Sequence, residues 1–158
     1  MNELILLIRR QTTILFSNVD EILNTINDSQ LDNAGSWGWP VGEQIYHLLH
    51  SLDQWFINPY DYVEPAWLPP DARLSKSELV AYFASIRAKV EQYLGTLDDQ
   101  ALREYPKGSR FARLELILGQ YRHLMYHIGL LHGCLRSERG QLPEFIGLSA
   151  PVAPVSRG

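Results

Sequence analysis

The chain has one cysteine, Cys134, among 158 residues. A single thiol excludes a framework of internal disulfides and fits a reducing compartment. The chain also lacks any run of Lys and Arg, and its formal net charge is −4. It therefore carries no electrostatic footprint for nucleic acid or for an anionic membrane surface. Charged residues interrupt every apolar run before it reaches the length of a bilayer span. The opening "MNELILLIRRQTTILF" does not follow the basic, apolar, small-residue order of a secretory signal. The expectation is a cytoplasmic protein that uses neither membrane nor nucleic acid. No stretch alternates apolar and polar residues as a strand does. No internal repeat and no second domain are visible.

Helical periodicity is what remains, and it fills four long stretches. Leu4, Ile5, Ile8, Ile14, Leu15, Val19, Ile22 and Leu23 recur at three- and four-residue steps, which predicts a helix over 3–26. The loop "NDSQLDNAGSWGWP" follows, rich in turn residues. Pro40 is compatible with the start of a second helix reaching about residue 57. Pro59, Pro65, Pro69 and Pro70 then break helix repeatedly. Ser75 followed by Glu78 is a capping-box signal for a third helix running to about Thr96. A short helix over "DDQALREY", capped by Asp98, is expected next. The fourth long helix spans roughly 111–138, stopped by Gly140 and Pro143. Four such helices read as an all-α bundle over residues 1–147. The tail 148–158 has no period and is expected to be extended or mobile.

Two histidines interrupt the apolar fourth helix. His123 and His127 lie about 40° apart, one turn above the other. Ile117, Leu124, Ile128, Leu131 and Leu135 form a broad apolar face to one side. The imidazoles thus border both core and cleft. In the second helix Ile45, Leu48, Leu49, Leu52, Trp55 and Phe56 make the apolar side, and Glu43, His47, His50 and Gln54 the opposite stripe. A His pair at this spacing can share one metal ion, and three protein ligands plus an open position describe a catalytic site. His47 is the first candidate for the third ligand, with His50 and Glu43 behind it. The plainer alternatives are core histidines on one helix and a solvated face on the other. His132 is turned half a turn of rotation from the pair. Cys134 lies two turns beyond it and reads as a small buried hydrophobe.

The stretches "WGWPVGEQIYHLLHSLDQW" and "YRHLMYHIGLLHGCLRSERGQLP" resemble the second-helix and last-helix signatures of the DinB/YfiT-like superfamily. The resemblance covers roughly residues 1–147. It implies an up-down-down-up four-helix bundle. It also implies a divalent metal held by three histidines, which by position are His47, His123 and His127. Gly129 matches the family's glycine two residues after the second His. Leu130–Leu131 stands where many members have Gln-Leu, a departure that bears on the subfamily and leaves the ligand set intact. Zinc and nickel are the first metals expected, with iron next.

Function follows from the resemblance as an expectation. The leading reading is a thiol-dependent transferase using a low-molecular-weight thiol such as bacillithiol or mycothiol. A metal-dependent hydrolase and a non-enzymatic metal or small-ligand binding protein are the alternatives. A helical dimerisation module with an empty site is a further reading. Glu43 is a hydrogen-bond partner of a metal-bound group or a proton acceptor, or simply an acid at the positive end of its helix dipole. Gln54, Gln120 and Arg113 are candidate contacts for a thiol cofactor. The loop Asn58–Leu74 is expected to wall a substrate cleft or a dimer contact. A small-molecule substrate and a homodimer are the partners expected.

Overall fold

The computed structural model describes residues 2–34, 38–55, 68–69, 72–137 and 142–147. Among them are four long helices and no strand: α1 Glu3–Thr25, α2 Val41–Trp55, α3 Lys76–Gly95 and α4 Arg113–Ser137. Three of the four starts are explained by carboxylates or hydroxyls that meet the first backbone N–H groups. The Asp99 carboxylate accepts hydrogen bonds from the backbone N–H of Leu4 (3.1 Å) and Ile5 (2.8 Å). That satisfies two donors of α1 that have no partner in the helix itself. Ser75 caps α3 as expected. Its hydroxyl accepts from Glu78 N–H, while its own N–H donates to Glu78 Oε2 at 2.8 Å. At α4, Ala112 N–H donates to Glu115 Oε2 at 2.8 Å.

Two connecting segments differ from the sequence reading. "DDQALREY" forms one 3-10 turn, Ala101–Arg103, and no α-helix. Asp98 does cap it, its Oδ1 accepting from Ala101 N–H at 2.7 Å. The turn cannot grow because Pro106 forces the preceding backbone toward extended geometry. In addition, Glu104 O accepts instead from Arg113 N–H, at the start of α4. The Asn-rich loop after α1 holds a 3-10 turn of its own, Asp28–Gln30.

Side-chain pairs across the seams fix the topology. Arg9 meets Leu94, and Phe16 meets Phe83 edge-on at 5.3 Å, so α1 and α3 are antiparallel. Tyr46 stacks on Tyr82, and Asp53 bonds Tyr82 and Lys89, so α2 and α3 run the same way. Gln44 reaches Cys134 while His47 reaches His127, so α2 and α4 are antiparallel. Tyr121 bonds Ile8 O in α1 at 2.9 Å. Asp99 caps the start of α1 while Glu104 O accepts from Arg113 N–H at the start of α4, so α1 and α4 begin at the same end and are parallel. The order is up-down-down-up, with α1 diagonal to α2 and α3 diagonal to α4.

One continuous core joins the four helices, from Ile5 and Phe16 through Leu48, Leu49 and Ile86 to Leu135. The expected apolar face of α4 is buried throughout. Residues 142–147 lie against α1, where the buried Asn18 amide donates to Ile146 O and accepts from Ile146 N–H, each at 2.9 Å. The tail 148–158 lies outside the described residues, as do Trp55's side chain and Phe56.

An ion pair between a buried acid and a largely exposed lysine bridges α2 and α3. Asp53 is 2% exposed and accepts from Lys89 Nζ at 2.7 Å and from Tyr82 hydroxyl at 3.1 Å. Removing the acid leaves the Tyr82 hydroxyl without its acceptor and a lysine, 43% exposed, that can turn to solvent. Asp53→Ala should therefore cost about 2 kcal/mol of unfolding free energy in a denaturant titration, most of it from the lost buried hydrogen bonds. Asp20→Ala, which breaks the more exposed pair with Arg87, should cost about 1 kcal/mol or less. Equal losses would contradict this assignment.

Candidate metal centre

His47 projects from α2 toward His123 and His127 of α4. The ring centroids are 4.8 Å apart for His47 and His127, 5.8 Å for His47 and His123, and 4.6 Å for His123 and His127. One nitrogen from each ring lies within 4.8 Å of the others. Two of them, Nε2 of His127 and Nε2 of His123, are 2.9 Å apart. One ring must then carry the proton and the other accept it. His127 is buried and the other two are half-buried, so the cluster sits where core meets cleft.

The protonation states suit metal binding. Burial lowers the pKa of all three rings below the usual imidazole value. Neighbouring histidines add to the effect at His47 and His127, and His127 falls to about 4. Near pH 7 each ring is neutral, the form that binds a metal. The residues also fit the group by geometry. A tetrahedral ion with bonds of about 2.0–2.1 Å separates its ligand nitrogens by about 3.4 Å. The span of 4.8 Å or less needs only small ring movements to reach it. Nδ1 of His127 is buried and has no hydrogen-bond partner among the described residues.

The approach to the cluster is built by the "GWP" stretch, residues 38–40. Gly38 takes φ +68°, a left-handed turn that glycine adopts without strain. Trp39 then packs edge-on against His47 (5.4 Å) and His127 (6.1 Å). The buried Gln44 amide donates to Trp39 O at 2.7 Å and holds it there. Gly42 lets Leu31 approach; a Cβ at that position would lie 3.2 Å from both Leu31 Cβ and Leu31 O.

A cavity of about 430 Å³ opens on the other side of His47. Trp39, Tyr46 and Glu43 line it, and so do Leu68, Pro69, Ala72, Arg73 and Leu74 from the end of the proline-rich loop. The described end of the loop thus lines this cavity. Tyr60, Tyr62 and Trp67 lie outside the described residues. Glu43 does not join the three-histidine cluster. Its Oε1 is 3.2 Å from Arg73 Nη2.

Other candidates are placed elsewhere. His50 belongs to no solvated face: it is fully buried, its Nδ1 3.4 Å from the Tyr46 hydroxyl. The reason is that α2 packs on both α3 and α4, so two of its sides are covered. His132 stays outside the cluster, half-buried. Cys134 is buried beside Gln44. Arg113 is committed to Glu104 and Ala101 O at the first turn of α4, three turns from His123. It is therefore no contact for a cofactor at the cluster. Gln54 is half-buried on α2, and Gln120 on α4 buries an unpartnered Oε1. Trp39, Tyr46 and Arg73 went unremarked as cavity-lining groups, although the Trp-Pro pair at the helix entry marked one of them.

The lowered pKa of His127 has a consequence for stability. Between about pH 4 and 6.5 the unfolded chain binds more protons at this residue than the folded one. Stability from the neutral ring is complete above 6.5 and is lost as pH falls toward 4. Chelator-treated protein should show a melting temperature that drops through this window. His127→Asn should shrink the drop. Identical pH profiles for the two proteins would contradict the neutral, buried ring.

No helix among the described residues is long and apolar enough to cross a membrane. Comparison with curated proteins and with solved structures gave no match. The family model of the DinB superfamily matches residues 11–131, which include all three clustered histidines. Fold, histidine cluster and family model agree, and the chain belongs to the DinB superfamily.

Proposed function

We propose that the protein is a metal-dependent enzyme that transfers a low-molecular-weight thiol to an electrophilic small molecule. The observation that carries this reading is the convergence of three neutral imidazoles on one point at the wall of a cavity. His47, His123 and His127 would hold one divalent ion, zinc or nickel first and iron next. Held by neutral ligands, such an ion would supply its full charge to lower the pKa of a thiol in the open position.

The chain's own residues do the rest. Trp39 and the buried His127 keep water from the core side of the cluster. His47 faces the cavity, so a ligand enters from there. The thiol proton leaves to solvent through the cavity that Glu43 lines. Arg73 fixes that carboxylate in place. A hydrolase would need more. It requires a base free to act on water and a donor for the developing oxyanion, and here Glu43 is already engaged by Arg73 at 3.2 Å. A thiolate is a strong nucleophile without such help.

Elemental analysis of the purified protein should give one divalent ion per chain. His47→Ala, His123→Ala and His127→Ala should each abolish stoichiometric binding, and His132→Ala should leave it intact. Equal loss in His132→Ala would overturn the ligand set. Turnover of an electrophile should require both metal and added thiol and should survive Cys134→Ala. Metal-dependent ester or amide hydrolysis without thiol would move the function to the hydrolase. Tight metal binding with no turnover across thiols would move it to a binding protein.

A further inference from the structure

The cavity beside His47 has two walls of different origin. Tyr46 and His47 stand on α2, whereas Leu68, Pro69 and Ala72 belong to the segment that leads into α3. The helix side is held firmly. Tyr82 of α3 stacks on one face of the Tyr46 ring, with centroids 6.0 Å apart. The fully buried His50, one turn further along α2, puts Nδ1 3.4 Å from the Tyr46 hydroxyl. A partly buried hydrogen bond attaches the segment to that side: Leu68 N–H donates to the same hydroxyl at 3.0 Å. Ala72 N–H in turn donates to Pro69 O at 2.9 Å, a turn that joins Leu68, Pro69 and Ala72 into one piece of wall. The ties from Arg73 to Glu43 and Asp32 are exposed ion pairs and add little holding force.

We propose that Tyr46 is a specificity-determining residue: its hydroxyl fixes the wall at Leu68, and with it the size of ligand that the three-histidine centre admits. The inference rests on the proposed metal site. His47 belongs both to the cluster and to the cavity wall, so a molecule held at the metal extends from there into the gap between α2 and the segment. The Tyr46 ring is fixed from behind by α3 and from the side by His50, so the segment takes its position from the ring. With the hydroxyl in place the gap has one width, and a body that fills it gains contact on both sides without first ordering the wall. Without the hydroxyl the segment can shift over the ring. A filling body then loses contact, and a molecule too small to reach the segment loses nothing.

The test uses two ligands that share a head and differ in body. Cobalt(II)-loaded wild type and Tyr46→Phe are titrated with 2-mercaptoethanol and with phenylmethanethiol, read from the thiolate-to-cobalt charge-transfer band. Tyr46→Phe keeps the ring and its stacking and removes the hydroxyl. Cobalt affinity and 2-mercaptoethanol binding should match wild type, while phenylmethanethiol should bind about fivefold more weakly, the worth of one hydrogen bond. Equal losses for the two thiols, or none, would overturn the inference. If cobalt binds and neither thiol gives the band, the thiol reading fails separately. Imidazole and 4-phenylimidazole, read from the cobalt d–d bands, then make the same comparison, and equal effects on the two would overturn the inference. Failure of cobalt to bind wild type would overturn the metal reading and this inference together, before any thiol is added. Hydrogen exchange at the Leu68 amide of the metal-free protein tests the tie by itself. It should quicken in Tyr46→Phe, and an unchanged rate would overturn the inference whatever the metal site binds.

Discussion

The antiparallel crossing of α2 and α4 forces three imidazoles to share one small, partly dry volume. Three positive charges within 5 Å of one another would repel strongly there, and burial penalises each of them. The rings must stay neutral, and the lowered pKa values follow from that constraint. Neutral rings with inward-facing nitrogens are a poor core but a good metal site. The surrounding structure is arranged around that compromise. Trp39 covers the rings from one side, and Gln44 pins the Trp39 backbone.

The topology serves the same end. In the up-down-down-up order, α2 and α4 are neighbours although α3 separates them in sequence. The residues that lead into α3 line the cavity at Arg73. The other face of α2 is held by Asp53, Lys89 and Tyr82. That pair ties α2 to α3 along the side away from α4.

Much of this was legible in the sequence because it depends on short-range rules. The 3.6-residue period marked all four helices, and Ser75 with Glu78 marked the start of α3 to the residue. The spacing of His123 and His127 on one helix placed them on one stripe. What the sequence did not carry was environment. His50 looked like a member of a polar stripe, and it is buried because α2 has neighbours on two sides. Asp53 gave no sign of a burial that depends on Lys89, 36 residues away. Arg113 looked close enough to help bind a cofactor, yet its guanidinium is spent on Glu104. "DDQALREY" had the composition of a helix, and competition from Glu104 O and Pro106 reduced it to one turn. Long-range partners decided each of these, and no local pattern names them.

X-ray absorption spectroscopy of the zinc-loaded protein tests the central claim most directly. The account predicts a first shell containing three imidazole nitrogens at about 2.0–2.1 Å, with no sulfur in thiol-free buffer and one sulfur at about 2.3 Å after a thiol is added. A sulfur shell before any thiol is added, which would bring in Cys134, or a shell of six oxygens would contradict it.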